Sequence, residues 1–207
     1  IADGHHRSAA ASRVAAARRA ANPRHTGEEN YNTFLVVIFP HHQTQILAYN
    51  RVVADLNGMD AESFLARVRQ NFSVEGSSRP VTPARPAEFG LYVAGRWHRL
   101  AIRRELISTS DPVARLDVKL LSDHLLGPIL NIKDLRHDKR IDYVGGIRGH
   151  AELERRVNSG GMAAAFALYP TRMEDLMSVA EAGNVMPTKS TWFEPKLADG
   201  LVSHVLD

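Results

Sequence analysis

Asp3-Gly4-His5-His6-Arg7 sets five groups of complementary chemistry side by side near the start of the chain. An arginine offers a planar fork of donors suited to phosphate or carboxylate. Two histidines can donate, accept or shuttle a proton near neutral pH. Glycine lets a ligand approach the backbone, and the aspartate can orient a histidine, touch a metal or act as a base. Residues 8–21 follow as an alanine- and arginine-rich stretch that predicts a helix, stopped at Asn22-Pro23. A helix N-terminus presents unpaired N–H groups and partial positive charge, so the motif sits where an oxyanion would dock. Gly4 and Arg7 are the expected anion binders, and Asp3, His5 and His6 the expected catalytic groups. Adjacent histidines cannot readily share one metal from a helix or a strand, so no dedicated metal site is expected.

A second unusual stretch, VMPTKSTWFEPK at 185–196, packs Lys189, Ser190, Thr191 and Lys196 between prolines. It lacks the glycines of a P-loop, and Pro195 blocks a following helix. What remains is a stiff loop with cations and hydroxyls that could grip phosphate, and these four residues join Gly4 and Arg7 as expected phosphate or nucleotide binders. Asn50-Arg51 interrupts a strand pattern, which makes Arg51 a further candidate. Glu28-Glu29 offers a carboxylate base but reads as a solvated loop. His41-His42, His124 and His150 read as surface histidines, and Trp97 and Trp192 as packing residues.

The elements that must position these groups follow from pattern. The apolar run at 34–39 predicts a buried strand, and 45–53 a second one after the Pro40-His41-His42 turn. Asp60 opens a helix with apolar spacing at Ala61, Phe64, Leu65 and Val68. Residues 89–93 and 97–102 read as a hairpin around Ala94-Gly95-Arg96. A helix is expected over 116–126, a strand over 140–144, a helix over 150–158 and a buried strand over 162–169. A last helix over 171–182 should be capped by Thr171 with Glu174. The expected class is mixed α/β, or α+β. Three parts are expected: 1–74 carrying the first motif, a proline-rich loop at 75–87, and an α/β region with a mixed sheet over 88–207.

Composition narrows the partners. Lys and Arg number 26 against 23 for Asp and Glu in 207 residues, and a net charge of +3 argues against nucleic acid. The expected partner is a small anionic metabolite or nucleotide. No apolar run is long enough to span a membrane, so no membrane partner is expected. Cysteine is absent, which rules out disulfides and thiolate catalysis and fits a cytoplasmic location.

Five stretches in order, IADGHHR, FGLYVAGRWHRL, LDVKLLSDHLLGPIL, RIDYVGG and VMPTKSTWFEPKLADGLVSHVL, resemble the domain of unknown function 1015 family of bacteria and archaea, over essentially the whole chain. Members carry a further stretch of similar length before the first motif. The resemblance therefore implies that this chain is the C-terminal half, which accounts for a start without Met. Many members read Tyr-Glu-Thr where this chain has Ser8-Ala9-Ala10, so no role for those side chains carries over. The first motif is also similar to ParB and sulfiredoxin-like proteins, some of which are small-molecule kinases acting on free serine. That similarity implies a ParB/sulfiredoxin-like N-terminal part, phosphate binding at Asp3, His5, His6 and Arg7, ATP or ADP with Mg²⁺ as cofactor, and serine or phosphoserine as substrate. The expected function is a phosphate- or nucleotide-binding enzyme, a kinase, phosphotransferase or phosphatase. The alternative is a non-catalytic nucleotide-binding regulatory or ParB-like module.

Overall fold

The computed structural model describes residues 1, 3–198 and 200–206. The chain folds as two compact units. One comprises Ile1–Gln45 with Phe193–Asp207, the other Ile46–Trp192. The expected division at 75–87 thus falls inside the second unit: Ser77 still belongs to a strand, and the prolines lie in the loop beyond it.

The second unit is built on a six-stranded sheet. Its strands are β2 (Tyr49–Val53), β3 (Phe72–Ser77), β4 (Glu88–Val93), β5 (Arg96–Ile102), β6 (Ile141–Gly145) and β7 (Ala164–Leu168), in the order β3-β5-β4-β7-β2-β6. Every pairing is antiparallel. The class is mixed α and β, as the sequence implies, but the strand–helix alternation of the last third does not produce parallel strands. The hairpin β4–β5 turns through Ala94 at φ 49° and Gly95 at φ 76°. Two consecutive positive φ values match the right-handed twist of the strands they join.

Period-2 alternation sends side chains to two cores. Val53, Phe89, Leu91, Val93, Leu100, Phe166 and Leu168 face one side. There they meet α2 (Ala61–Val68) and the segment from α3 (Asp117–Leu121) through one π-helical turn to Leu126. Val52, Tyr92, Trp97, Ala165 and Ala167 face the other and pack on α4 (Gly149–Asn158) through Leu153. Gly90 has no room for a side chain, since a Cβ there would stand 2.5 Å from the Val81 carbonyl. Local signals behave as read at α2, where the Asp60 carboxylate accepts from the Ser63 N–H at 2.7 Å. The last helix differs from expectation. It is α5 (Met173–Glu181), and Asp175 accepts from the Arg172 N–H and guanidinium. Thr171 does not cap it, because its hydroxyl donates to the Ser190 carbonyl at 2.9 Å.

The first unit is of another kind. Its helix α1 (His5–Ala21) starts three residues earlier than the alanine run suggested, and none of its residues is buried. Its small side chains leave an open hollow of about 580 Å³ lined by Ala15, Ala16, Arg19, Ala20 and Asn32. Beyond α1 the 22–33 loop is organised by Glu29, whose carboxylate accepts from the amides of Thr26 at 2.7 Å and Gly27 at 3.0 Å. Desolvation raises the Glu29 carboxyl and is the largest single influence on it, but the backbone amides of Thr26, Glu29 and Gly27, with the His25 charge, together hold it down at about 2. Glu29 is thus a loop organiser. The run Phe34–Phe39 is not the buried strand its composition predicts. It has no regular structure, and all six side chains are exposed, from 41% at Phe39 to 88% at Ile38. The described residues supply no sheet for it to join: the six-stranded sheet is made by other residues, and the remaining strands, β1 (Gln45–Leu47) and β8 (Trp192–Glu194), are three residues each.

One buried carboxyl makes the second unit sensitive to pH. Asp117 Oδ1 accepts from the Ala87 N–H at 2.8 Å, while Oδ2 is buried without a partner. Burial, reinforced by Asp175 and Glu88, pushes its carboxyl up to about 7 from an ordinary 3.8, against the pull of the Ala87 amide and Arg172. The folded state therefore holds this proton more tightly than the unfolded chain. Asp117 should cost nothing below about pH 4, destabilise progressively between there and about 7, and add no further cost above it. Denaturant unfolding at pH 3 and 8 should show Asp117→Asn more stable than wild type at pH 8, by on the order of 2–4 kcal/mol, and level with it at pH 3. Parallel pH profiles for the two proteins would reject this.

Candidate functional site

The first motif occupies the opening turn of α1. Gly4 is the N-cap residue in a left-handed conformation, φ 85° and ψ 24°, and no side chain caps the helix. Such a backbone favours glycine. His5, His6 and Arg7 are the first three helical residues, and the first backbone bond of the helix runs from Ser8 N–H to Gly4 O at 3.0 Å. With no acidic residue in the first turn, the positive end of the dipole lacks a counter-charge on the helix itself. The Arg7 guanidinium folds back over Gly4, its Nε lying 3.5 Å from where a Cβ would stand. Both histidines are exposed.

Asp3 does not cap the helix in the usual way. Its Oδ1 accepts from the Gly4 N–H at 2.9 Å. Its Oδ2 meets the Lys196 ammonium at 3.4 Å. Partial burial would raise the Asp3 carboxyl, but the Gly4 amide, Lys196 and Arg7 together hold it below the ordinary range. The first unit thus brings together one residue from each end of the sequence, 193 positions apart. Asp3, Gly4, Arg7 and Lys196 form one cluster with two cations and one anion, and His5 and His6 stand beside it on the helix.

The remaining expected residues belong to the second unit. Arg51 does not interrupt β2 but lies within it, fully buried. It pairs with Tyr143 on β6 and Phe166 on β7. Its guanidinium donates to the Tyr49 carbonyl and, at 2.8 Å, to the Lys189 carbonyl, leaving Nε without a partner. Desolvation lowers its pKa to about 10, and the groups that oppose this are the phenols of Tyr143 and Tyr49. Lys189 is exposed and sits at φ 57°. Its Nζ lies 5.6 Å from the centroid of the Tyr49 ring and 5.8 Å from that of Tyr143. Ser190 is buried, and its hydroxyl donates to the Pro187 carbonyl, so it shapes the loop. Thr191 is half-buried beside it.

Tyr49, Tyr143 and Gly145 are neighbours of the candidate residues Arg51 and Lys189 that sequence reasoning missed. The signal was present in the period-2 pattern: Tyr49 and Arg51 share one face of β2, and Tyr143 and Gly145 share the matching face of β6, with Tyr49 opposite Gly145. Trp192, read as a packing residue, lies edge-on to Tyr49 at 5.4 Å. Among the described residues no three His, Asp or Glu side chains gather to hold a metal, and no helix is long and apolar enough to cross a membrane.

The family model described as "Protein of unknown function (DUF1015)" matches residues 1–119. The chain belongs to that family. The match falls on the N-terminal part of the chain and does not extend to the Lys189–Lys196 stretch, where the sequence resemblance placed its second specific motif. No curated protein matches the chain. Among solved structures it is similar to a free serine kinase mutant in complex with AMP, at 14% identity and a TM-score of 0.44, over 72% of this chain and 54% of that one. It is similar in the same degree to a free serine kinase mutant in complex with ADP, at 14% identity and a TM-score of 0.42, over 72% and 54%. A conserved hypothetical protein from Pyrococcus furiosus gives 15% identity and a TM-score of 0.45, over 72% and 56%. The chain spans about half the length of these structures.

Gly145 makes the slot in which the Trp192 ring lies, since a Cβ there would stand 2.8 Å from two ring atoms. Gly145→Ala should displace the ring and loosen the 187–191 loop. The expected cost is on the order of 1–3 kcal/mol in denaturant unfolding, with a shifted Trp192 indole N–H resonance. An unmoved resonance would show that the slot does not hold the ring.

Proposed function

We propose that this DUF1015 protein binds the phosphate groups of a nucleotide or small phosphorylated metabolite at the start of α1. The observation that carries this reading is the joint placement of Arg7 and Lys196 around an uncapped helix N-terminus of seventeen residues. Amides of the first turn, the Arg7 fork and the Lys196 ammonium are the donors a polyphosphate needs, and they fit it in sign and kind. A divalent ion would have to arrive on the phosphates, with Asp3 as a carboxylate able to reach it.

The chemistry we propose is phosphoryl transfer to or from a small hydroxylated substrate, with serine or phosphoserine as the substrate class to try first. Arg7 and Lys196 would stabilise charge on the transferred group. Asp3 is a poor general base, because its carboxylate is engaged by the Gly4 amide and by Lys196 and its proton affinity is lowered. It serves better as the group that orients Lys196. Proton movement then falls to His5 or His6, both exposed at the helix start. The same engagement of Asp3 favours the second reading, a nucleotide-binding module without chemistry, and the test separates the two. Cytoplasmic location and a partner limited to small anions belong to this proposal as well.

Calorimetry with ADP and ATP should give saturable binding, and Arg7→Ala and Lys196→Ala should each weaken it about 10- to 100-fold, the worth of one charge-assisted contact. Parallel turnover assays with ATP and serine, and with phosphoserine, should yield product. Saturable binding without product would establish the module instead. Nucleotide affinity untouched by both substitutions would remove the site.

A further inference from the structure

We propose that the second unit carries an oxyanion site of its own, in which the Lys189 ammonium, laid on the faces of Tyr49 and Tyr143 and backed by the buried Arg51 guanidinium, takes a single phosphate or carboxylate group. This inference uses none of the α1 residues and stands whether or not α1 binds nucleotide.

Charge is the first argument. Arg51 is fully buried, yet the groups set against it are carbonyls and two phenols rather than a carboxylate. Burying a guanidinium without a counter-charge is costly, and its unpartnered Nε adds to that cost. Lys189 then brings a second cation to the same ring: Arg51 Cζ lies 5.4 Å and Lys189 Nζ 5.8 Å from the centroid of Tyr143. Among the described residues neither side chain forms an ion pair. Two like charges against one aromatic ring repel, and a bound anion would offset that repulsion. Tyrosine faces attract each cation but do not neutralise either.

The loop that carries Lys189 is also firmly held. Lys189 adopts a left-handed backbone, φ 57°, that L side chains rarely adopt. Its carbonyl is pinned by Arg51, the Ser190 carbonyl by Thr171, and the Trp192 ring by the Gly145 slot. A strained residue in a loop anchored at 189, 190 and 192 is characteristic of a group held in position for a ligand. Lys189 is exposed, so its ammonium can be reached, while Arg51 acts from below as a fixed positive field in a medium of low dielectric. The ammonium is a point charge with no fork, so one compact oxyanion suits it better than a bidentate partner.

The test uses the full chain. Inorganic phosphate and acetate are titrated in separate series while the indole N–H resonances are followed, with Trp97 as internal reference. The expected result is a saturable shift of the Trp192 resonance with one or both anions, weakened at least tenfold in Lys189→Met, which keeps the stem and removes the charge. The same shift should persist in Arg7→Ala. The anion that saturates at lower concentration identifies the ligand class. A titration identical in wild type and Lys189→Met, a Trp192 shift that vanishes in Arg7→Ala, or no saturable shift with either anion overturns the proposal.

Discussion

A positive charge sealed inside a sheet, with backbone carbonyls in place of a carboxylate, is the constraint around which the second unit is arranged. Arg51 lies in β2, whose neighbours in the sheet are β7 and β6. From there its two terminal nitrogens reach the carbonyls of Tyr49 and Lys189, tying a strand to a loop 138 residues further along. The aromatic rings beside it are arranged for that charge. Tyr143 is its cross-strand partner, Tyr49 lies on the same face, and Trp192 closes the cluster through the space left by Gly145. The fold could not place Lys189 as it does without this anchor, because the residue's own backbone preference runs the other way.

The first unit solves a different problem. It buries almost nothing of its own: Tyr31 and Phe193 are its buried apolar residues among those described. Its order comes from polar contacts. Glu29 gathers the amides of the 22–33 loop, Asn22 and His25 meet the Tyr31 hydroxyl, and His204 reaches the Asn30 carbonyl at 3.0 Å. The Asp3–Lys196 pair belongs to this polar scaffold and to the anion cluster alike. Exposed pairs of this kind contribute little to stability, so its value lies in setting where the ammonium stands.

Much of this was legible in the sequence, and the exceptions are instructive. The hairpin at Ala94-Gly95, the Asp60 cap and the stop at Asn22 are local events decided by a few neighbours, and they formed as read. The five-residue motif at the start of α1 was visible because its residue types have no ordinary structural use together. Its partner Lys196 was on the page too, but no spacing rule joins positions so far apart. The role of Arg51 was obscured because a lone arginine in a strand pattern normally marks an edge, and only the register with β6 and β7 shows it paired on both sides. Thr171 was misread for a related reason: its hydroxyl answers to the Ser190 carbonyl, a tertiary partner that outweighs the local cap. The stretch 34–39 has the composition of a central strand, but pairing needs neighbours, and these are not among the strands formed.

That stretch also separates two properties that usually travel together. Resistance to unfolding resides in the paired cores of the six-stranded sheet, to which none of these six residues belongs. Colloidal behaviour is decided elsewhere. Six consecutive uncharged apolar residues, free of proline and open to solvent, have the composition from which cross-β stacking between molecules is built. Charge placed within that hexapeptide would act on solubility while leaving the melting of the sheet where it is.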